Sequence, residues 1–144
     1  MKCHLTLILV ACFTAFSVSA GGGSGTEPAD DYVYVKKIYN NYDGDTFRAY
    51  LGKKNYHEPI RILGVDTAEI QGQCDYEIEK AIIAKKYLND VLSHANTIVL
   101  VNPGRDKYDR VLAIVLVDGK DLSQLIIDSG NGRKWKGRRE SWCD

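Results

Sequence analysis

The chain of 144 residues predicts a mainly β domain with helices, an α+β fold in which five short strands form a partly open barrel with two helices. Three features point there. β-Branched and aromatic residues come in short runs punctuated by Asn, Asp, Gly and Pro, the pattern of strands joined by tight turns. One longer stretch, residues 76–95, places apolar side chains at 78, 81, 84, 88 and 91, the repeat of a helix with a single apolar face. A shorter helical stretch follows the last strand-like run.

Taken in order, Met1 to Ala20 reads as a signal peptide. Lys2 precedes an apolar core from Leu5 to Phe16, and Val18-Ser19-Ala20 has the small-x-small form of a cleavage site. The core falls short of the ~18 apolar residues of a membrane span. Leu9 to Cys12, LVAC, is also similar to a lipoprotein processing box, which would anchor the chain at Cys12. Export to the periplasm or the medium is the expected fate. Gly21 to Asp30, GGGSGTEPAD, is a flexible linker by composition. What remains, 31–144, is long enough for one compact domain.

The first strand is Tyr32 to Tyr39, ended by the turn residues Asn40, Asn41, Asp43 and Gly44. Thr46 to Leu51 returns as the second, and GKKN turns again. His57 to Val65 is the third, with Pro59 placing its start at an edge or bulge. The helix of residues 76–95 follows. Thr97 to Val101 and Arg110 to Val117 are the fourth and fifth strands, separated by NPGRDKYD. Asp121 to Gly130 is the second helix, with Asp121 or Ser123 as its cap and Gly130 as its stop. A helix after the third strand and another after the fifth is the order of the oligonucleotide-binding (OB) type of barrel.

Formal net charge is zero over the whole chain, so bulk charge does not hold a polyanion here. The basic residues are instead concentrated in RKWKGRR, Arg133 to Arg139, which reads either as a solvated tail or as a surface for nucleic acid. Of four cysteines, Cys3 and Cys12 lie in the leader. Cys74 and Cys143 remain, an even number in an exported chain, and predict one disulfide. Two cysteines without a nearby histidine make a poor zinc site. No feature implies a stable protein partner, and a monomer is expected.

Three stretches carry candidate chemistry. YDGDTFR, Tyr42 to Arg48, contains the turn signal Asp43-Gly44, but a hairpin does not explain Asp45 at the head of a strand. RILGVDTAEI, Arg61 to Ile70, ends a strand with Asp66 and Glu69. Their spacing also suits a helix capping box, although QGQCDY after them has no helical repeat. Where the second strand begins beside the end of the third, Asp45 and Asp66 would meet at one rim, a repulsive pair unless a cation lies between them. Carboxylates with a backbone carbonyl suit a hard ion, Ca²⁺ above zinc. In the third stretch, DKYDRVLA, Arg110 opens the fifth strand. Two guanidinium groups, Arg61 and Arg110, a metal and the carboxylate of Glu69 are the parts of phosphoryl transfer. Forked donors offset charge on the phosphate, and a carboxylate orients or deprotonates water.

DGDT, RILGVDTAE and DKYDR, in that order and spacing, resemble the three signature segments of the staphylococcal nuclease (thermonuclease) family. The likeness runs from about Tyr32 to Gly130 and includes EKAIIAKKYL and VDGKDLSQLI. It implies the five-stranded nuclease barrel and Ca²⁺-dependent cleavage of DNA and RNA by water, with loss of the 5′-oxygen to leave 3′-phosphate ends. Position by position, it implies Asp45 and Asp66 as calcium ligands, with the carbonyl of Thr67. Glu69 is the implied base, Arg61 and Arg110 the phosphate clamp, and Lys107 and Tyr108 contacts to the substrate's terminal phosphate. Ala68 stands where the family usually has proline, and Asp109, next to Arg110, where it usually has glycine. The charge of Asp109 is therefore expected to compete modestly for Arg110. GNGRKW replaces a more apolar family segment, leaving Trp135 as either a stacking platform or a rim residue over the core. The chain stops at SWCD, without the long third helix of the type enzyme. A non-catalytic nucleic-acid-binding module is the competing expectation, but such a module should have lost carboxylates or arginines that are all present here.

Overall fold

The computed structural model describes residues 30–52 and 55–143. The expected leader, nearly all of the linker, and Lys53 and Lys54 of the second turn lie outside the described residues. No helix among the described residues is long and apolar enough to cross a membrane.

The elements run β1 (Tyr32–Tyr34), β2 (Lys37–Asn41), β3 (Thr46–Tyr50), β4 (Glu58–Ile62), β5 (Val65–Asp66), α1 (Asp75–His94), β6 (Ile98–Arg105), β7 (Val111–Val117), β8 (Lys120–Asp121), α2 (Leu122–Asp128) and β9 (Arg133–Lys134). The main sheet is ordered β1-β6-β7-β4-β3-β2, with β8 added to β7. All of its pairs are antiparallel except β4 with β7. The predicted first strand is broken at Val35–Lys36, and its two halves lie on opposite edges of the sheet. At the break Val35 N donates to Ile98 O and Lys36 N to Tyr50 O, each at 2.9 Å. One short chain segment thus serves both edges, which requires the sheet to curl toward a barrel and leaves little edge unpaired. The fold is the mixed α+β, OB-like arrangement that the strand and helix order predicts.

Burial follows the two periodicities. Along β7, Val111, Ala113, Val115 and Val117 point into the core while the residues between them are half-buried. On α1 the buried face is Glu77, Ala81, Ala84, Leu88 and Leu92, rotated slightly from the predicted one at both ends. Phe47, Ile60, Ile62, Leu88, Leu100, Leu122 and Ile126 fill the interior. Asp121 caps α2, accepting from Ser123 N at 2.8 Å, as expected.

The boundaries differ where backbone geometry intervenes. The predicted third strand stops at Ile62, because Gly64 turns the chain at φ +91°, a conformation open to glycine, and the backbone resumes as β5. β5 pairs with β9, which comes from the basic run. β6 continues past the expected end at Val101, through an irregularity between Val101 and Gly104, to Arg105. The capping-box reading of Asp66 and Glu69 does not hold, since the next helix begins only at Asp75.

Candidate functional site

The segment between β2 and β3 is a hairpin connection, as Asp43-Gly44 predicted, but it is buried where a plain turn would be exposed. Gly44 is needed for space. A Cβ there would lie 2.6 Å from Cβ of Ala84 on α1 and 3.0 Å from Thr67. The close approach seats Asp43 and Asp45, each 6 % exposed, against the helix and the segment after β5.

Register then supplies the first guanidinium. Thr46 on β3 pairs with Arg61 on β4, so Arg61 lies beside Asp45, and its Nη2 is 3.1 Å from Asp45 Oδ2. The same group donates to the carbonyls of Ile62 at 2.6 Å and Val65 at 2.8 Å, which fixes it to the turn at Gly64. Asp45 Oδ2 also accepts the amide of Thr67 at 3.0 Å, and Asp43 accepts the amide of Asp45 at 3.1 Å. Burial pushes the Asp45 carboxyl up to about 7, with Arg61 opposing the rise and Asp43 adding to it. Asp43 is raised for the same first reason.

Asp66, 5 % exposed at the end of β5, is met by Arg133 from β9, with Nε at 3.0 Å and Nη2 at 2.9 Å from Oδ2. Glu69 lies beyond it, with its side chain 40 % exposed and its carboxylate hydrogen-bonded to Arg139. Arg110 enters from the start of the fifth predicted strand. Its Nε donates to Asp106 Oδ2 at 2.8 Å, while Oδ1 of Asp106 accepts the amides of Tyr108 at 2.9 Å and Arg110 at 3.0 Å. Lys107 and Arg110 both approach the face of the exposed Tyr108 ring, at 4.9 and 5.4 Å from its centroid.

A cleft of about 620 Å³ joins these groups. Asp45, Asp66, Glu69, Arg61, Arg110, Lys107 and Tyr108 all line it, although they come from three separate stretches of sequence. Thr67 is not among the lining residues and is buried behind them. Trp135 lies on the cleft and is 38 % exposed, so it is a rim residue open to solvent rather than a cover for the core.

Asp109 adopts φ +61°, the left-handed backbone that aspartate tolerates better than most residues. Its side chain is 91 % exposed and its nearest cation is Arg105, at 3.9 Å. Arg110 is paired with Asp106, in keeping with the expectation that Asp109 acts on it only modestly and without direct contact. The solvated-tail reading of RKWKGRR holds only in part: Lys134 to Arg139 are exposed, but Arg133 and Arg139 pair with the site's acids, and Cys143, four residues past Arg139, forms the predicted disulfide with Cys74. Asp43, Asp106, Arg133 and Arg139 were absent from the sequence-based site. Asp43 and Asp106 stand within two residues of Asp45 and Lys107, and Arg133 and Arg139 belong to the basic run, whose pairing with these acids nothing local indicates.

The donors fit a hard cation. Asp45 and Asp66 offer carboxylate oxygens, the donor type a hard ion prefers, from a buried wall where burial raises the Asp45 carboxyl and Arg61 opposes the rise. Among the described residues no group of three or more His, Cys, Asp and Glu forms a cage. A cation here would have to complete its shell with carbonyl, water or substrate oxygens.

The class of protein is therefore a curled α+β, OB-like barrel with carboxylates and guanidinium groups lining one open cleft. The family model for staphylococcal nuclease homologues matches residues 59–141, and the chain belongs to that family. No curated protein matches the chain. Family membership points to nuclease or nucleic-acid-binding function, in a family whose members are generally nucleases and typically calcium-dependent.

Proposed function

We propose that this protein is an exported, Ca²⁺-dependent nuclease that hydrolyses phosphodiester bonds of DNA and RNA with little sequence preference. The observation that carries the reading is the convergence of Asp45, Asp66, Glu69, Arg61 and Arg110 on one cleft. In this reading Asp45, Asp66 and the carbonyl of Thr67 hold Ca²⁺. The ion, when bound, would polarise the phosphate and offset its growing charge. Glu69 accepts a proton from the attacking water at a carboxylate oxygen. Arg61 and Arg110 bind the non-bridging oxygens, and their anchoring to Val65 O and to Asp106 means little reorganisation is needed as charge grows. Lys107 and Tyr108 sit beside Arg110, where a neighbouring phosphate would lie. The disulfide supports export, because such bonds persist in oxidising compartments.

Digestion of plasmid DNA and of RNA by the purified protein tests this. Cleavage with Ca²⁺, abolished by chelator and restored by added Ca²⁺, is expected. Full activity in chelator would remove the mechanism. One observation favours a non-catalytic nucleic-acid-binding module: Glu69 is already paired with Arg139. Tight binding of DNA without any cleavage in Ca²⁺ would decide for that reading.

A further inference from the structure

Arg139 reaches the site from a segment that the proposed chemistry does not use. After β9 the chain runs back as a largely exposed strap, residues 135–143, and carries Arg139 onto two carboxylates. Nη1 donates to Glu69 Oε1, and Nη2 donates to Glu77 Oε1 at 2.7 Å. Glu77, 4 % exposed on the first turn of α1, organises the loop in front of it. Its Oε2 accepts the amide of Gln73 at 2.9 Å and its Oε1 the amide of Glu69 at 3.4 Å. Those bonds, led by the one from Gln73, hold the Glu77 carboxyl below its ordinary value despite burial. Glu69 is thus gripped at its amide by Glu77 and at its carboxylate by Arg139, and Arg139 ties the two grips together.

The middle of the strap, Lys136, Gly137 and Arg138, is exposed. At its start Trp135 N donates to Gly64 O at 3.0 Å, and two further anchors hold its end. Arg133 donates to the carbonyls of Glu140 and Ser141 and lies 4.1 Å from the ring of Trp142. Cys143 is bonded to Cys74 at the N-cap of α1, and its Sγ is 3.7 Å from Glu77 Oε2. The covalent anchor therefore sits against the carboxylate that Arg139 bridges.

We propose that Arg139 is a positioning residue for Glu69, and that the Cys74–Cys143 bond makes its placement, and with it full activity, conditional on oxidation. The inference rests on the nuclease reading and adds a regulation of that site. A forked guanidinium across two carboxylates fixes the plane and rotamer of Glu69, which a half-exposed glutamate otherwise lacks. Reduction takes up two electrons and two protons, breaks the S–S bond and leaves two thiols, while a dithiol reductant becomes its own cyclic disulfide. The end of the strap then loses its covalent tie and keeps the Arg133 anchor. A chain held where thiols stay reduced carries a loosely placed Glu69 until it is oxidised.

The test uses the oxidised protein, the same protein reduced with dithiothreitol, Arg139→Gln, Arg139→Lys, Cys74→Ser with Cys143→Ser, and the combination of both cysteine changes with Arg139→Gln. Each is assayed on a DNA oligonucleotide with Ca²⁺, below its own melting temperature. Arg139→Gln should lower kcat by roughly 10- to 100-fold, with KM shifted far less, as expected for a misplaced reacting group. Arg139→Lys should recover only part, because lysine lacks the fork. Reduction and the cysteine variant should reproduce the loss, and adding Arg139→Gln to the latter should cost little more. Undiminished or raised kcat in Arg139→Gln, a loss confined to KM, additive losses, or a cysteine variant that loses melting temperature but keeps kcat would each overturn the proposal. If the oxidised protein cleaves nothing, the nuclease reading falls, and amide exchange decides the strap's role alone. The amides of Glu69 and Gln73 should exchange at least about tenfold faster in Arg139→Gln; unchanged protection overturns the proposal.

Discussion

Asp106 shows how one side chain sets the site's second guanidinium. It accepts two backbone amides and the Nε of Arg110, so the loop and the arginine are fixed by the same carboxylate. Partial burial works to raise the Asp106 carboxyl, but the bonds from Arg110 and Tyr108 outweigh it and hold it below 3.8. A depressed folded value means that its stabilisation is complete above 3.8 and is lost as pH falls through that lower folded value. Asp106→Asn should therefore lower stability at neutral pH, at about 1–3 kcal/mol for bonds to a charged group. It should also flatten the loss of melting temperature on acidification through 3.8, measured by thermal denaturation beside the parent protein. Glu69→Gln should lower kcat by roughly 10²- to 10⁴-fold, the usual worth of a positioned base, with Ca²⁺ binding measured separately. Retained activity would show that Glu69 does not take the proton.

At the scale of elements, the site depends on how closely the β2–β3 connection approaches α1. Gly44→Ala would force a methyl to within 2.6 Å of Ala84 and 3.0 Å of Thr67. The overpacking should cost about 1–3 kcal/mol, read as a shift in denaturant midpoint at unchanged slope. It should also lower activity, because the displaced turn carries Asp45; a neutral result would mean the turn relaxes without moving the acids. Gly119, with its positive φ in a second Asp-Gly pair, instead has open space around it, so identical dipeptides serve different ends. Composition carries the turn in both cases, and packing carries the reason.

Over the whole molecule, the disulfide joins residues 69 positions apart and ties the C-terminal strap to the start of α1. Loop closure on that scale is worth up to about 4 kcal/mol, so the cysteine double variant should melt well below the parent. Cleavage after Ala20 should give a mature chain that begins at Gly21, and intact-mass measurement of material recovered outside the cytoplasm checks it. Retention of Lys2 in that material would exclude cleavage after Ala20.

Strand and helix identity, the turn positions and the cysteine pair were legible because each rests on local chemistry, while Asp45, Asp66, Glu69, Arg61 and Arg110, which line one cleft, stood out through three short stretches that resemble the family's segments. A β-branched run, an apolar repeat or an Asp-Gly turn needs only its neighbours to be recognised. The split of Tyr32–Asn41 between two sheet edges was not, because Val35 and Lys36 look like strand and their break is set by partners at Ile98 and Tyr50. Nor were Arg133 with Asp66 and Arg139 with Glu69, which pair across 67 and 70 positions. Ion pairs at that range leave no periodicity in the chain. They exist because β9 lays the basic run against β5, and because Cys143 returns the strap to α1, where long-range backbone pairing and one covalent bond convert a charged tail into a wall of the site.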